Sequence, residues 1–126
     1  KRSLNVNGTA AIQGITIRDD LFERYRSSED FIQKYIFPGG FLPSLGFMKS
    51  LIKKNNLNLL TVNSYPDDYA KTLATWRENF LKVWSNIAPL GFDETFKRMW
   101  EFYLSYCEAG FKSKNIDLIQ FSMSNK

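Results

Sequence analysis

Three strand-like runs limit what this chain can fold into. They are "TAAIQGITI" (residues 9–17), "LNLLTVNSY" (57–65) and "IDLIQFSMS" (116–124). The first reads as a buried strand entered from a turn at Asn7-Gly8, and the last alternates apolar with polar residues. Helical patterns fill the space between them. Strands separated by helices argue for an α/β sheet. Three strands are few for such a sheet, and the helices are long and aromatic-rich. The chain therefore reads as half of a larger sheet domain. Its 126 residues allow one domain and one core, not two.

The helical stretches carry their own stop signals. "RDDLFERYRSSEDFIQKYIF" has Phe31, Ile32, Tyr35 and Ile36 at helical spacing. Ser27 and Asp30 form a capping box before that run, and Pro38 with Gly39-Gly40 ends it. Ser44 caps a segment with Leu45, Met48, Leu51 and Ile52 on one face, closed by "KKNN". Pro66, Asp67 and Asp68 suit the first turn of a long helix. Its stripe is Tyr69, Leu73, Trp76, Phe80, Val83 and Ile87, and it breaks at Pro89 and Gly91. Asp93 caps a last helix that turns Phe96, Met99, Trp100, Tyr103 and Cys107 inward and closes at Gly110.

The residue inventory removes whole classes of chemistry. The chain has no histidine and one cysteine. Ser-His-Asp and Cys-His catalysis are excluded within it, as are the usual zinc ligand sets. A net charge of +4 helps approach to an anionic surface. No run of five like charges and no basic stripe marks a nucleic-acid partner. No apolar run is long enough to span a bilayer, and no signal core follows "KRSLNVNG". A lone cysteine points to a reducing, cytosolic setting. A start at Lys1 rather than Met raises the expectation of a truncated segment.

Several residues are candidates for function. Gly39-Gly40 follows a helix and precedes Phe41-Leu42-Pro43, so it reads as a tight turn rather than a phosphate cradle. Cys107 reads as a small core residue, and no partner that would lower its pKa is visible. Glu108 either pairs with a base or faces solvent. The Asp19-Asp20 and Asp67-Asp68 pairs look like helix starts rather than a carboxylate dyad. Tyr69 stands one turn into the helix after the second strand. In an open α/β sheet this is near the strand end where ligands bind. Its phenol could donate to an anion and its ring could face a cation; an ordinary core tyrosine is the equal alternative.

Taken together, "YIFPGGFLPS", "DDYAKTLATWRENF", "GFDETFKRMWEFYLSYCEAGF" and "IDLIQFSMS" resemble the C-terminal part of the cyclopropane-fatty-acyl-phospholipid synthases and the mycolic acid cyclopropane synthases. The resemblance covers nearly the whole chain in order. It implies a class I, Rossmann-like S-adenosylmethionine methyltransferase fold, with the three runs as its fifth, sixth and antiparallel seventh strands. It implies transfer of a methyl group to a cis double bond of a phospholipid acyl chain, with a bicarbonate ion taking the proton lost on ring closure. A chain without histidine does need another base. By the same resemblance, Tyr69 matches the tyrosine that binds bicarbonate and faces the cation, and Ile15 matches a backbone contact to that ion. Gln13 stands where well-studied members carry a histidine. Its amide can donate a hydrogen bond but holds no charge, which leaves the base or the product open: cyclopropane, methyl or methylene. Phe31, Tyr35, Ile36 and Phe37 would lie near the acyl channel. The glycine-rich loop for S-adenosylmethionine would lie upstream, so no cofactor-binding residue is expected in residues 1–126. The implied setting is cytoplasmic, at the inner face of the membrane, with self-association as a homodimer. A stand-alone lipid-binding or structural module is the alternative from another class.

Overall fold

The computed structural model describes residues 3–125. The chain divides into a sheet unit, running up to Tyr65 and again from Asn115, and a helical unit, Pro66–Lys114.

In the sheet unit, strands β1 (Thr9–Ile17), β2 (Leu57–Ser64) and β3 (Ile116–Asn125) lie in the order β1-β3-β2. Both flanking strands run antiparallel to β3. All three expected runs are thus strands, and the chain's last strand sits in the middle. A register shift between Leu59 and Thr61 leaves Leu60 as the extra residue of a bulge. The pleat sorts the sheet into two faces. One carries Leu57, Leu59, Val62, Ile119, Phe121 and Met123, which pack with Leu45, Met48 and Ile52 of α2 (Leu45–Lys54) into the core. β1 is less buried than a strand flanked on both sides. Only Thr16 and Ile17 are fully buried, because β1 is an edge strand with β3 on one side.

Local chemistry sets the helix ends. Ser44 Oγ accepts from the Phe47 N–H at 3.1 Å and caps α2. Asn55 caps its other end, and Asn56 takes the left-handed conformation at φ 51°. Leu51, expected inward, is exposed. Helix α1 (Asp19–Arg26) stops before the next run, which is a single π-turn at Ile32–Ile36. Asp30 and Gln33 form the capping box there, Asp30 Oδ1 accepting at 2.8 Å and Gln33 Oε1 at 2.9 Å. Ser27 instead donates back to the Glu23 and Arg24 carbonyls, closing α1. At the Pro-Gly-Gly turn the Gly40 N–H donates to the Phe37 carbonyl at 2.8 Å, with Gly39 at φ 79°. A glycine suits that position because it has no Cβ to clash.

The helical unit is built on α3 (Pro66–Lys82) and α5 (Glu94–Lys112), which pack antiparallel: Tyr69 meets Phe111, and Arg77 meets Ser105. The long first helix was expected to reach Ile87 but ends at Lys82. A short helix α4 (Trp84–Ile87) and a 3-10 turn follow. The change of direction lets Trp84 donate to Glu94 at 3.0 Å and meet Phe80 edge-on. Trp76 and Val83 of the expected stripe are exposed, while Leu73 and Ala70 are buried. Asp93 caps α5 as expected, accepting from the Phe96 N–H at 2.8 Å. The helix does not close at Gly110. It runs one residue past Phe111, which is fully buried, and Lys114 takes the left-handed turn at φ 58°. Burying that ring outweighs the roughly 1 kcal/mol that a helical glycine costs.

Candidate functional site

Tyr69 sits one turn into α3, after a first turn carrying Asp67 and Asp68. Its ring is held edge-on by Trp76, with centroids 5.9 Å apart, and by Phe111 at 4.9 Å. Burial, and then the neighbouring Cys107, push its phenol above the ordinary value. Tyr103 is pushed up to about 12, chiefly by burial, with Cys107 and Tyr69 adding to it. Both phenols therefore keep their protons at neutral pH and can act as hydrogen-bond donors rather than bases. Cys107 is buried, as a core residue should be, and acts on both phenols.

Glu108 is the buried carboxylate of the helical unit. Lys112 donates to its Oε1 at 2.5 Å, and Arg77 Nη1 lies 2.8 Å from its Oε2 while donating to Ser105 Oγ. The Lys112 hydrogen bond, followed by the charge of Arg77, holds its carboxyl below the usual range. Glu108 is thus a paired anion. The Glu108–Lys112 spacing was legible as a helical i,i+4 pair, whereas Arg77 comes from another helix. A cleft of about 430 Å³ beside the pair is lined by Asp67, Ala70, Lys71, Ala74, Glu108 and Lys112. Its mixed charge does not suit an acyl chain.

On the sheet unit, Gln13 and Ile15 share one face of β1, two residues apart. Gln13 is exposed, and its Oε1 accepts from Gln120 Nε2 at 2.8 Å, which leaves its Nε2 as the donor. Gln120 also pairs with Asn63 across the sheet, so three amide side chains stand on one rung. Thr61 and Ser122 share a hydrogen bond of 2.7 Å one rung away. This polar row floors a depression of about 340 Å³. Nothing in the composition flagged the row, because its members come from three distant segments. Ile15 is half-buried and pairs with Leu118.

Phe31, Tyr35, Ile36 and Phe37 lie in and around the π-turn. Phe31 and Tyr35 touch, with ring centroids 5.3 Å apart. Tyr35 and Phe37 are more than half exposed, and neither cavity above is lined by any of the four. No group of His, Cys, Asp and Glu fit to hold a metal occurs among the described residues. No helix among them is long and apolar enough to cross a membrane. The turns from β1 into α1 and from β2 into α3 contain no glycine. These residues therefore do not fit the glycine-rich strand-to-helix turn that a nucleoside cofactor uses.

A family model for mycolic acid cyclopropane synthetase matches residues 1–121. Among characterised proteins, the chain is 43% identical over 117 residues to the tuberculostearic acid methyltransferase UfaA1 of Mycobacterium tuberculosis, covering 92% of this chain and 27% of that protein. It is 35% identical over 98 residues to the cyclopropane-fatty-acyl-phospholipid synthase of Escherichia coli strain K12, covering 76% of this chain and 25% of that one. Among solved structures, the mycolic acid cyclopropane synthase CmaA1 complexed with SAH and CTAB superposes with a TM-score of 0.84 at 27% identity, over 97% of this chain and 46% of that chain. The chain therefore spans about a quarter of the length of these two relatives and just under half of the solved structure. A solved structure named as a putative sarcosine dimethylglycine methyltransferase from Galdieria sulphuraria shares the fold, at a TM-score of 0.78 and 20% identity.

Proposed function

The chain belongs to the mycolic acid cyclopropane synthetase family, and on that premise we propose that it supplies the lipid-side portion of an S-adenosylmethionine-dependent methyltransferase acting on cis-unsaturated phospholipid acyl chains. The observation that carries this reading is the family match over residues 1–121, together with two relatives named for acyl-chain chemistry. One is named for methyl transfer and the other for cyclopropane formation, so the product class stays open between them.

The roles assigned to this chain's residues follow from their protonation states and surroundings. Tyr69 is a neutral phenol in a ring-lined setting. It would donate a hydrogen bond to an anion and present a π face to a developing cation. Gln13 Nε2 and the backbone at Ile15 are donors on β1. Bicarbonate is the ion we assign to the two β1 donors; when bound, it would supply the proton acceptor that the side chains here do not. The S-adenosylmethionine site would be made by residues outside this chain, because its strand-to-helix turns lack glycine. We place the activity at the cytoplasmic face of the membrane.

The test supplies the protein in its full natural length with methyl-labelled S-adenosylmethionine and vesicles of a cis-monounsaturated phospholipid. Label should enter the acyl chains and not those of a fully saturated phospholipid. Label confined to head groups, or to a small amine acceptor, would overturn the reading.

A further inference from the structure

We propose that the sheet unit carries a docking face for an anionic phospholipid bilayer, built by the segment between α1 and β2. The proposal rests on the reading of the substrate as a membrane lipid and names the surface that reaches it.

The first observation is exposure. Tyr35, Phe37, Phe41, Phe47 and Leu51 are each between 37% and 56% exposed, although all are large and apolar. Single exposed apolar residues are ordinary, but a contiguous set is not. Phe41 and Phe47 both touch the buried ring of Phe22, at 5.7 and 5.3 Å. Leu51 lies one helical turn beyond Phe47, off the face of α2 that meets the core. Gln33 Nε2 donates to the Gly40 carbonyl at 3.2 Å, tying the π-turn of Tyr35 to the turn that starts at Phe37.

The second observation is charge. Residues 31–65 contain Lys34, Lys49, Lys53 and Lys54 and no carboxylate. The other 13 basic and 13 acidic residues cancel, so the whole net charge of +4 resides in this segment. All four lysines are exposed, and Lys34 Nζ lies 5.3 Å from the Tyr35 ring centroid. Aromatic rings beside lysines match the chemistry of a bilayer interface, and the carboxylates that meet the segment, Asp19 and Asp30, are taken up by the Gly46 and Gln33 N–H groups at 3.0 and 2.8 Å. The rings seat at the headgroup level while the ammonium groups meet lipid phosphates.

Co-sedimentation of the protein in its full natural length with phosphatidylglycerol-containing and pure phosphatidylcholine vesicles tests this. The anionic vesicles should bind more tightly, and 0.5 M salt should weaken that binding. Each lysine contributes roughly a fivefold effect near such a surface, so Lys53→Gln with Lys54→Gln should weaken binding by about tenfold or more. Phe37→Ser should weaken it further at either salt concentration. The lysine pair is exposed, and circular dichroism checks that the variant is folded. Equal binding to both vesicle types would overturn the proposal. So would a lysine variant that binds normally, or one that changes only the oligomeric state, as a face joining copies would. Activity separates this proposal from the functional reading. The lysine variant should keep wild-type methyl transfer to detergent-dispersed lipid and lose it on vesicles. Wild-type vesicle binding with no methyl transfer to either form would overturn the function and support the docking face.

Discussion

Replacing Glu108 by glutamine should loosen the α3–α5 pair, and the loss should depend on pH. The carboxylate is buried and ties two cations from two helices, Arg77 at 2.8 Å and Lys112 at 2.5 Å. Removing one partner of a fully buried pair costs roughly 3–5 kcal/mol. Here the Arg77 side chain is 29% exposed and that of Lys112 66%, so both cations can return to water when the anion goes. That relief lowers the expected cost to about 1–2 kcal/mol. The sign of the pH effect follows from the Lys112 hydrogen bond and the Arg77 charge, which hold the folded carboxyl below its ordinary value of 4.5. The folded state therefore binds fewer protons. The stabilisation is complete above the ordinary value and is lost as pH falls through the depressed one. The glutamine variant does not titrate at this position. The stability gap should be constant near neutral pH and close in acid below the ordinary value. Urea unfolding followed by tryptophan fluorescence reads this directly, because Trp76, Trp84 and Trp100 all belong to the helical unit. A gap at neutral pH under about 0.3 kcal/mol, the scale of an exposed pair, would show that the buried pair does not hold the two helices. So would a gap that persists unchanged into acid.

Other outcomes follow from the same contacts. Tyr69→Phe keeps the ring against Phe111 and removes the donor, so methyl transfer should fall about 10²–10³-fold with unfolding unchanged; an equally active variant would remove Tyr69 from the chemistry. Phe111→Ala empties a fully buried site and should cost about 3–5 kcal/mol by denaturant unfolding. Tyr103 should resist ionisation until about pH 12 in a spectrophotometric titration. Because its folded pKa is raised, the stability it contributes is complete below its ordinary value of 10.0 and declines as pH rises toward 12.

Much of the fold was legible because its signals are local. The three strands, the Ser44 and Asp93 caps, the Pro38-Gly39 turn and the helix start at Pro66 depend on neighbours within a few residues. The misreadings came where distant contacts decided. Gly110 looked like a stop, but Phe111 was worth burying. Val83 looked like a continuation, but Trp84 found Glu94 and Phe80 in a new direction. The Ser27–Asp30 capping box expected from spacing does not form: Ser27 bonds back into α1, and the reciprocal bonds join Asp30 and Gln33. At the site, Tyr69 and the buried Leu73 could be read from spacing, while Trp76 and Val83 of the same stripe are exposed; the Gln13–Gln120–Asn63 rung and the Arg77–Glu108 pair join residues far apart in sequence.

Fatty-acid mass spectrometry reads out whether carbon is added to acyl chains. The full-length protein would be expressed in a bacterial host lacking cyclopropane and methyl-branched lipids, beside its Tyr69→Phe variant. The wild-type protein should yield acyl chains one carbon longer in formula, gained at the expense of the cis-monounsaturated precursor, and the variant far fewer of them. An unchanged acyl profile from a folded, abundant wild-type protein would contradict the proposed function.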